Sequence, residues 1–277
     1  MSQMPVYGFS ERWESVCNHH KLFFEKTKNL EDFWNKAYER NVSLSCQADK
    51  AVHYLGALCI DDFREILLLC GNGLGIGGMK ILRGLFERAV TASYISEAPD
   101  TAQEFLDYYY VHRKKQFSHF KDYIGDKISD FINPAELELV NEQYENVKDK
   151  FTEILCKKCG TTKIMFSWSK MDLISMAKKV GLGNQVWDLY YIPMLQTHPT
   201  ASSIVDRVGL KNSDTFTFKH EAQMDAVGST LFGAHKIILR VLENQNNHFS
   251  LGMDDEFQKL RDDFKTIWQK KKNAYSS

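Results

Sequence analysis

The chain is expected to be all-α, a multi-helix bundle with long antiparallel core helices in a single compact unit. Three observations carry that reading. Apolar residues recur at steps of three and four through most of the 277 residues, no alternating run of useful length suggests a strand, and only five prolines interrupt the helical periods. Apolar content of 43% and charged content of 26% suit a globular protein with a sizeable core. No Pro/Ser/Gly-rich linker divides the chain. Within the unit, residues 1–42 read as an N-terminal helical extension, 43–248 as the core, and 249–277 as a C-terminal helix with a basic tail.

Each element has its own signal. Residues 10–40 predict one or two short helices that bury Phe23, Phe24, Leu30, Phe33 and Trp34. Ser43 or Ser45 is placed to cap the next helix, whose stripe of Val52, Leu55, Cys59, Phe63, Ile66 and Cys70 runs to about residue 70. Then Gly73, Gly75 and Gly78 match the dinucleotide fingerprint G-x-G-x-x-G. That chemistry needs a strand before the glycines and another after the following helix, and this context offers neither. No Lys-Ser/Thr follows, so a Walker loop fails as well, and the run reads as a helix–helix connection with a glycine C-cap.

The helix over 79–95, MKILRGLFERAVTASYI, organises the chain. Leu82, Leu85, Phe86, Ala89 and Ala92 share one side, and Arg83 and Glu87 stand four apart on its flank. After Pro99-Asp100-Thr101, a helix is expected to align Phe105, Tyr109, His112, Gln116, His119, Phe120 and Tyr123. Asn133-Pro134-Ala135-Glu136 has the cap, first-turn proline and capping-box glutamate of a helix start, and its stripe of Val140, Tyr144, Val147, Phe151 and Ile154 is read as running to Gly160. Ser169 or Lys170 opens a shorter helix closed by Lys178, Lys179 and Gly181. Residues 184–196 form another helix that Pro193 bends, and 209–218 are a polar loop or short extended piece. Two last helices follow, on Met224, Val227, Leu231, Ile238 and Val241, and on Phe257, Leu260, Phe264 and Ile267.

A formal net charge of −1 offers no global basic field for nucleic acid or an anionic membrane, although a local site remains open. No apolar run approaches the ~20 residues a spanning helix needs, so no membrane partner is expected. The N-terminus lacks a basic-then-apolar leader, and the six cysteines read as reduced thiols of a cytoplasmic protein.

Three landmarks in this order resemble domain-of-unknown-function family 5677, a group of mostly bacterial helical proteins: RGLFERAVTASYI, FSWSKMDLISMAKKVGLGNQVWDLYYIPMLQTHPT and the helical tail. The resemblance covers roughly residues 45–245 and rests on Arg83 and Glu87, Trp168 and Ser169, Ala177 and Gly181, Tyr190 and Tyr191, and His198. Where relatives tend to have serine shortly before the histidine, this chain has Leu195-Gln196. The resemblance implies a fold and carries no settled activity.

Candidate chemistry is weighed against simpler structure. Arg83, Glu87 and His198, with Tyr190 or Tyr191 beside them, can form an anion clamp with a general acid or base, or a structural network, and the network is the preferred reading. Arg113 and His119 are similar in spacing to the Arg-x(4–6)-His of the HEPN superfamily, helical proteins that include dimeric, metal-independent ribonucleases. On one straight helix these two residues lie about 120° apart, so an exposed basic patch is the simpler reading. His112 and His119 share a face and, with Tyr108, can line a pocket. Cys156-Lys-Lys-Cys159 is half a zinc knuckle without a second pair, read as two thiols at a helix C-terminus. No cofactor and no complete metal-ligand set is expected. The leading functional expectation is a HEPN-like effector acting on RNA, in a toxin or phage-defence setting implied by that superfamily alone, as a homo-oligomer, with a protein partner from the same operon as a further expectation. The rival is a non-catalytic interaction or regulatory module, and whether the chain is an enzyme stays open.

Overall fold

Three long helices make the centre of the molecule in a computed structural model. The structure describes residues 10–39, 43–156, 158–198, 208–212, 215–218 and 223–274, with Ala201 and Ile204. Helix α3 (Gln47–Gly71) turns through Asn72-Gly73-Leu74 into α4 (Gly75–Glu97). Gly73 takes the left-handed conformation with φ 76°, and its N–H bonds the Cys70 carbonyl, so the glycine connection closes a helix. α4 begins four residues before the expected Met79. The third helix, much later in the chain, is α9 (Met224–His248).

The contacts between these helices define their directions. Thr230, near the start of α9, bonds the Gly75 carbonyl at the start of α4, while Ser96 and His248 meet at the opposite ends. Gln245, near the end of α9, bonds Val52 near the start of α3. So α4 and α9 run parallel, and α3 runs antiparallel to both. A parallel pair needs a long return path, which residues 98–223 supply. Phe63, Ile66, Leu82, Leu85, Phe86, Leu231 and Ile237 fill the centre and are buried.

Around this core, α1 (Ser10–His19) and α2 (Lys21–Glu39) bury Phe23, Leu30, Phe33 and Trp34, with Phe24 half-buried. α10 (Asp254–Ala274) packs on α2 and α9 through Phe257, Leu260 and Ile267, so the first and last described helices share the central core. The side chains of Lys270–Lys272 lie outside the described residues.

The return path departs from the expected pattern in three places. Helix α5 (Ala102–Ile124) buries Ala102, Asp107, Val111 and Phe117, whereas Tyr109, His112, Gln116, His119 and Tyr123 are exposed. α6 (Pro134–Val147) stops at Val147 and not at Gly160. Beyond it, β1 (Thr152–Ile154) pairs antiparallel with β2 (Thr162–Ile164), a hairpin rich in β-branched residues. Val147, Phe151 and Met165 bury against Val111, so one apolar cluster continues across the change from helix to strand. Asn133 caps α6 by accepting the Ala135 N–H.

Helix α7 (Leu173–Lys179) is capped by Asp172 rather than Ser169 or Lys170. The expected helix over 184–196 divides into a 3-10 turn (Gly183–Gln185), a π turn (Trp187–Tyr191) and α8 (Ile192–Thr197). Pro193 has no N–H to donate, which leaves Leu189 without its α-helical partner, and Ile192 bonds back five residues to Trp187. A second hairpin, β3 (Val208–Asn212) with β4 (Thr215–Phe218), holds the expected extended piece. Among the described residues no helix is long and apolar enough to cross a membrane.

Candidate functional site

Helix periodicity sets Arg83 and Glu87 one turn apart on α4, and the π turn and α8 pack across them. Arg83 Nε donates to Glu87 Oε1 at 2.7 Å, and Arg83 Nη1 lies 3.3 Å from His198 Nε2. A guanidinium only donates, so Nε2 is the acceptor, which assigns the ring proton to Nδ1 in the neutral imidazole. The guanidinium carbon sits 5.1 Å from the Tyr190 ring centroid, and Phe86 packs on the same ring. Tyr190 leads to Tyr191 (centroids 5.4 Å apart) and Tyr191 to the exposed Trp187 (6.0 Å). The cluster is therefore a half-buried cation with an exposed imidazole on one side and an aromatic ladder on the other. His198 begins where α8 ends, its N–H bonded to the Met194 carbonyl. Trp187 was not singled out among the site residues, since nothing local distinguishes it from a core tryptophan.

The structure does not bring Arg113 and His119 together within one chain. Arg113 donates from Nε and Nη2 to Glu136 Oε1 at 3.2 and 2.6 Å, and from Nη1 to Gln116. Its plane lies 4.6 Å over Phe117. Glu136 is thus drawn to α5 and does not close the expected capping box. His119 is exposed on another face. Tyr108 and His112 do line one groove of about 750 Å³ together with Phe105, Tyr109, Gln143 and Trp168, but His119 is not part of it. The Tyr108 hydroxyl donates to the Met165 carbonyl, as does Lys115, so both are committed to holding the β1–β2 hairpin.

A second polar constellation has no local sequence signature. Ser96 Oγ lies 2.9 Å from His248 Nδ1, and His248 Nε2 lies 3.1 Å from Asp49 Oδ1. Asp49 also closes a capping box with Cys46: its Oδ2 accepts from Ser45 N, Ser45 Oγ and Cys46 N, while Cys46 Sγ accepts the Asp49 N–H. Cys46, not Ser43 or Ser45, is therefore the cap of α3. The order serine, histidine, aspartate resembles a hydrolytic relay, but Ser96 sits in the last turn of α4, where free carbonyls face a developing oxyanion. The relay instead pins together the start of α3 and the ends of α4 and α9. Burial alone would raise the Asp49 carboxyl, but bonds from Ser45, Cys46 and His248 outweigh it and hold it at about 2. A depressed carboxyl contributes stability that is fully present above its ordinary value of 3.8 and lost as pH falls through about 2. Asp49→Asn is accordingly expected to cost about 1–2 kcal/mol at neutral pH by urea denaturation. The gap to wild type should shrink as pH falls across that window; a gap independent of pH would mean that the charge is not its source.

Cys156 and Cys159 lie on the loop between β1 and β2 and not at a helix end. Both are free thiols, and hydrogen bonds from Thr161 above all, then from Cys156, lower Cys159 to about 7.

No curated protein and no solved structure matches the chain. Residues 49–216, from the first turn of α3 through Arg83, Arg113, the cysteine hairpin and His198 to β4, match the family of unknown function DUF5677. That stretch is more than half of the 277 residues and contains the whole Arg83 cluster, and on it the chain belongs to this family.

Proposed function

We propose that this protein acts on RNA as a ribonuclease with its site at Arg83, Glu87 and His198, and not at the HEPN-like pair Arg113 and His119. The observation that carries the reading is the 3.3 Å approach of Arg83 Nη1 to the Nε2 lone pair of an exposed His198, beside the ladder of Tyr190, Tyr191 and Trp187. Aromatic faces stack unpaired bases with little sequence preference, and a guanidinium fork fits phosphate oxygens. Glu87 holds Nε and so aims the two terminal nitrogens outward. A phosphodiester entering between Arg83 and His198 takes over the guanidinium and frees Nε2 to remove a ribose 2′-hydroxyl proton. The 2′-oxygen then attacks the adjacent phosphorus, the P–O5′ bond breaks, and the leaving 5′-oxygen takes a proton from water, leaving a 2′,3′-cyclic phosphate, while His198 returns its proton to solvent. A toxin or phage-defence setting fits such an activity and would register as growth arrest on expression.

The test is cleavage of single-stranded RNA in chelator-containing buffer by wild type and His198→Ala. The variant is expected to lose about 100-fold or more of the rate, and to melt at the wild-type temperature because His198 is exposed. Equal cleavage by the two proteins, or none by wild type, sinks the proposal. A second reading, a non-catalytic interaction module, is favoured by the engagement of Arg83 with Glu87, His198 and Tyr190 at once, as in a strut joining α4 to α8. It expects His198→Ala to lower the melting temperature and leave RNA untouched.

A further inference from the structure

The β1–β2 hairpin carries a feature that the Arg83 site does not use. Cys156 and Cys159 are separated by two residues on its loop, the spacing of a zinc knuckle. The sequence argued against metal because no second pair exists; the structure places this pair on a hairpin loop rather than at a helix end. Leu155 and Cys156 both donate backbone N–H groups to the Thr161 carbonyl, at 2.8 and 3.3 Å, which closes the loop at its base. Gly160, directly after the second cysteine, has φ 69° and donates to the Cys156 carbonyl at 3.0 Å. That left-handed turn folds the chain back on itself directly after Cys159, and a side chain there would strain it. Cys159 Sγ lies 2.9 Å from Thr161 Oγ1 at the base of the loop.

We propose that Cys156 and Cys159 form half of a thiolate site for a zinc-type divalent ion, completed by the same pair from a second copy of the chain. Structural zinc is held by four ligands in a tetrahedron. Among the described residues no third His, Cys, Asp or Glu joins the pair, so one chain supplies only half of the set. Ile154, Leu155 and Phe166, on and beside the hairpin, are each exposed in the single chain, which suits a second copy seated there. Four thiols binding one divalent ion release four protons and leave a net charge of −2, which Lys158 and Lys163 of each copy sit close enough in sequence to offset. Both cysteines lie inside the stretch shared with the family.

The experiment uses the reduced full chain titrated with cobalt(II) alone and, in parallel, zinc alone, read by absorption and sedimentation velocity. The expected result is a thiolate-to-cobalt charge-transfer band with the visible bands of a tetrahedral ion, together with a doubling of mass that either ion induces. Cys156→Ser and Cys159→Ser should each abolish both signals while keeping the wild-type circular dichroism, and Cys17→Ser should abolish neither. The proposal is overturned if cobalt gives no thiolate band, if the band grows without a change in mass, or if the doubling survives loss of either cysteine. RNA cleavage plays no part in these readouts, so this inference stands or falls separately from the Arg83 proposal.

Discussion

Gly75→Ala is expected to destabilise the protein by about 3 kcal/mol, the upper end of what overpacking usually costs. A Cβ at this position would lie 2.3 Å from the Val227 nitrogen and 2.5 Å from the Ala226 carbonyl carbon. Both are backbone atoms of the first turn of α9, so no rotamer change relieves the clash and α4 must move away from α9. That movement strains two further bonds at the same end, from Thr230 Oγ1 to the Gly75 carbonyl and from Gln223 N to the Gly73 carbonyl. Gly77→Ala, two residues on, is expected to have the opposite sign. Its Cβ would meet nothing nearer than 3.6 Å, a Leu69 methyl, and alanine is favoured over glycine in a helix by about 1 kcal/mol. Urea denaturation of the two variants measures both. If Gly75→Ala unfolds within a few tenths of a kcal/mol of wild type, the close approach is not what requires the glycine.

This explains the glycine run that imitates a nucleotide loop. Gly73 supplies the positive φ of a helix C-terminus, Gly75 admits the backbone of α9, and a Cβ on Gly78 would crowd Cys70 Sγ at 2.9 Å and a Thr230 methyl at 3.0 Å. Context excluded nucleotide chemistry from the sequence alone. The C-cap role of Gly73 was legible locally, whereas the reason for Gly75 and Gly78 was hidden, because Ala226, Val227 and Thr230 come so much later in the chain.

The same contrast between local and distant causes runs through the fold. The three central helices were legible because each carries an unbroken stripe over more than twenty residues, and burial of that stripe outweighs any local preference. Helix α5 was misread because tyrosine and histidine tolerate both a core edge and a wet surface, so their periodicity did not mark the buried side. Asp107 is buried there instead, held by Gln103 and Lys150. The end of α6 was invisible because Val147, Phe151 and Ile154 keep helical spacing after the helix has ended. What decides the matter is pairing of Thr152 with Ile164 across the loop, a non-local event. At the candidate site, the Arg83–Glu87 pair followed from spacing alone, and family order suggested His198. The Ser96–His248–Asp49 relay joins residues 152 and 199 positions apart, and no pattern in the chain announces it.

Arg83→Lys is the substitution that most sharply separates a site from a strut. The guanidinium divides its work: Nε to Glu87, Nη1 to His198, and its face on Tyr190. Lysine keeps the charge and can still reach Glu87, and a helical pair four residues apart with both members part-exposed is worth only about 0.3–0.5 kcal/mol. A strut would therefore barely register the change. A phosphate clamp would register it strongly, because an ammonium held by Glu87 has no fixed fork left to stabilise the charge that builds on phosphorus oxygens as the P–O5′ bond breaks. The expected loss in kcat/KM for RNA is about 100-fold to 1,000-fold, the range found when one preorganised donor is removed from a reacting oxygen, with stability within about 1 kcal/mol of wild type. Arg83→Ala should lose at least as much activity. Glu87→Gln, which retains an acceptor for Nε, should lose less than either, because Glu87 only aims the guanidinium. If Arg83→Lys cleaves RNA at the wild-type rate, Arg83 holds α4 to α8 and the catalytic assignment falls, whatever His198→Ala has shown.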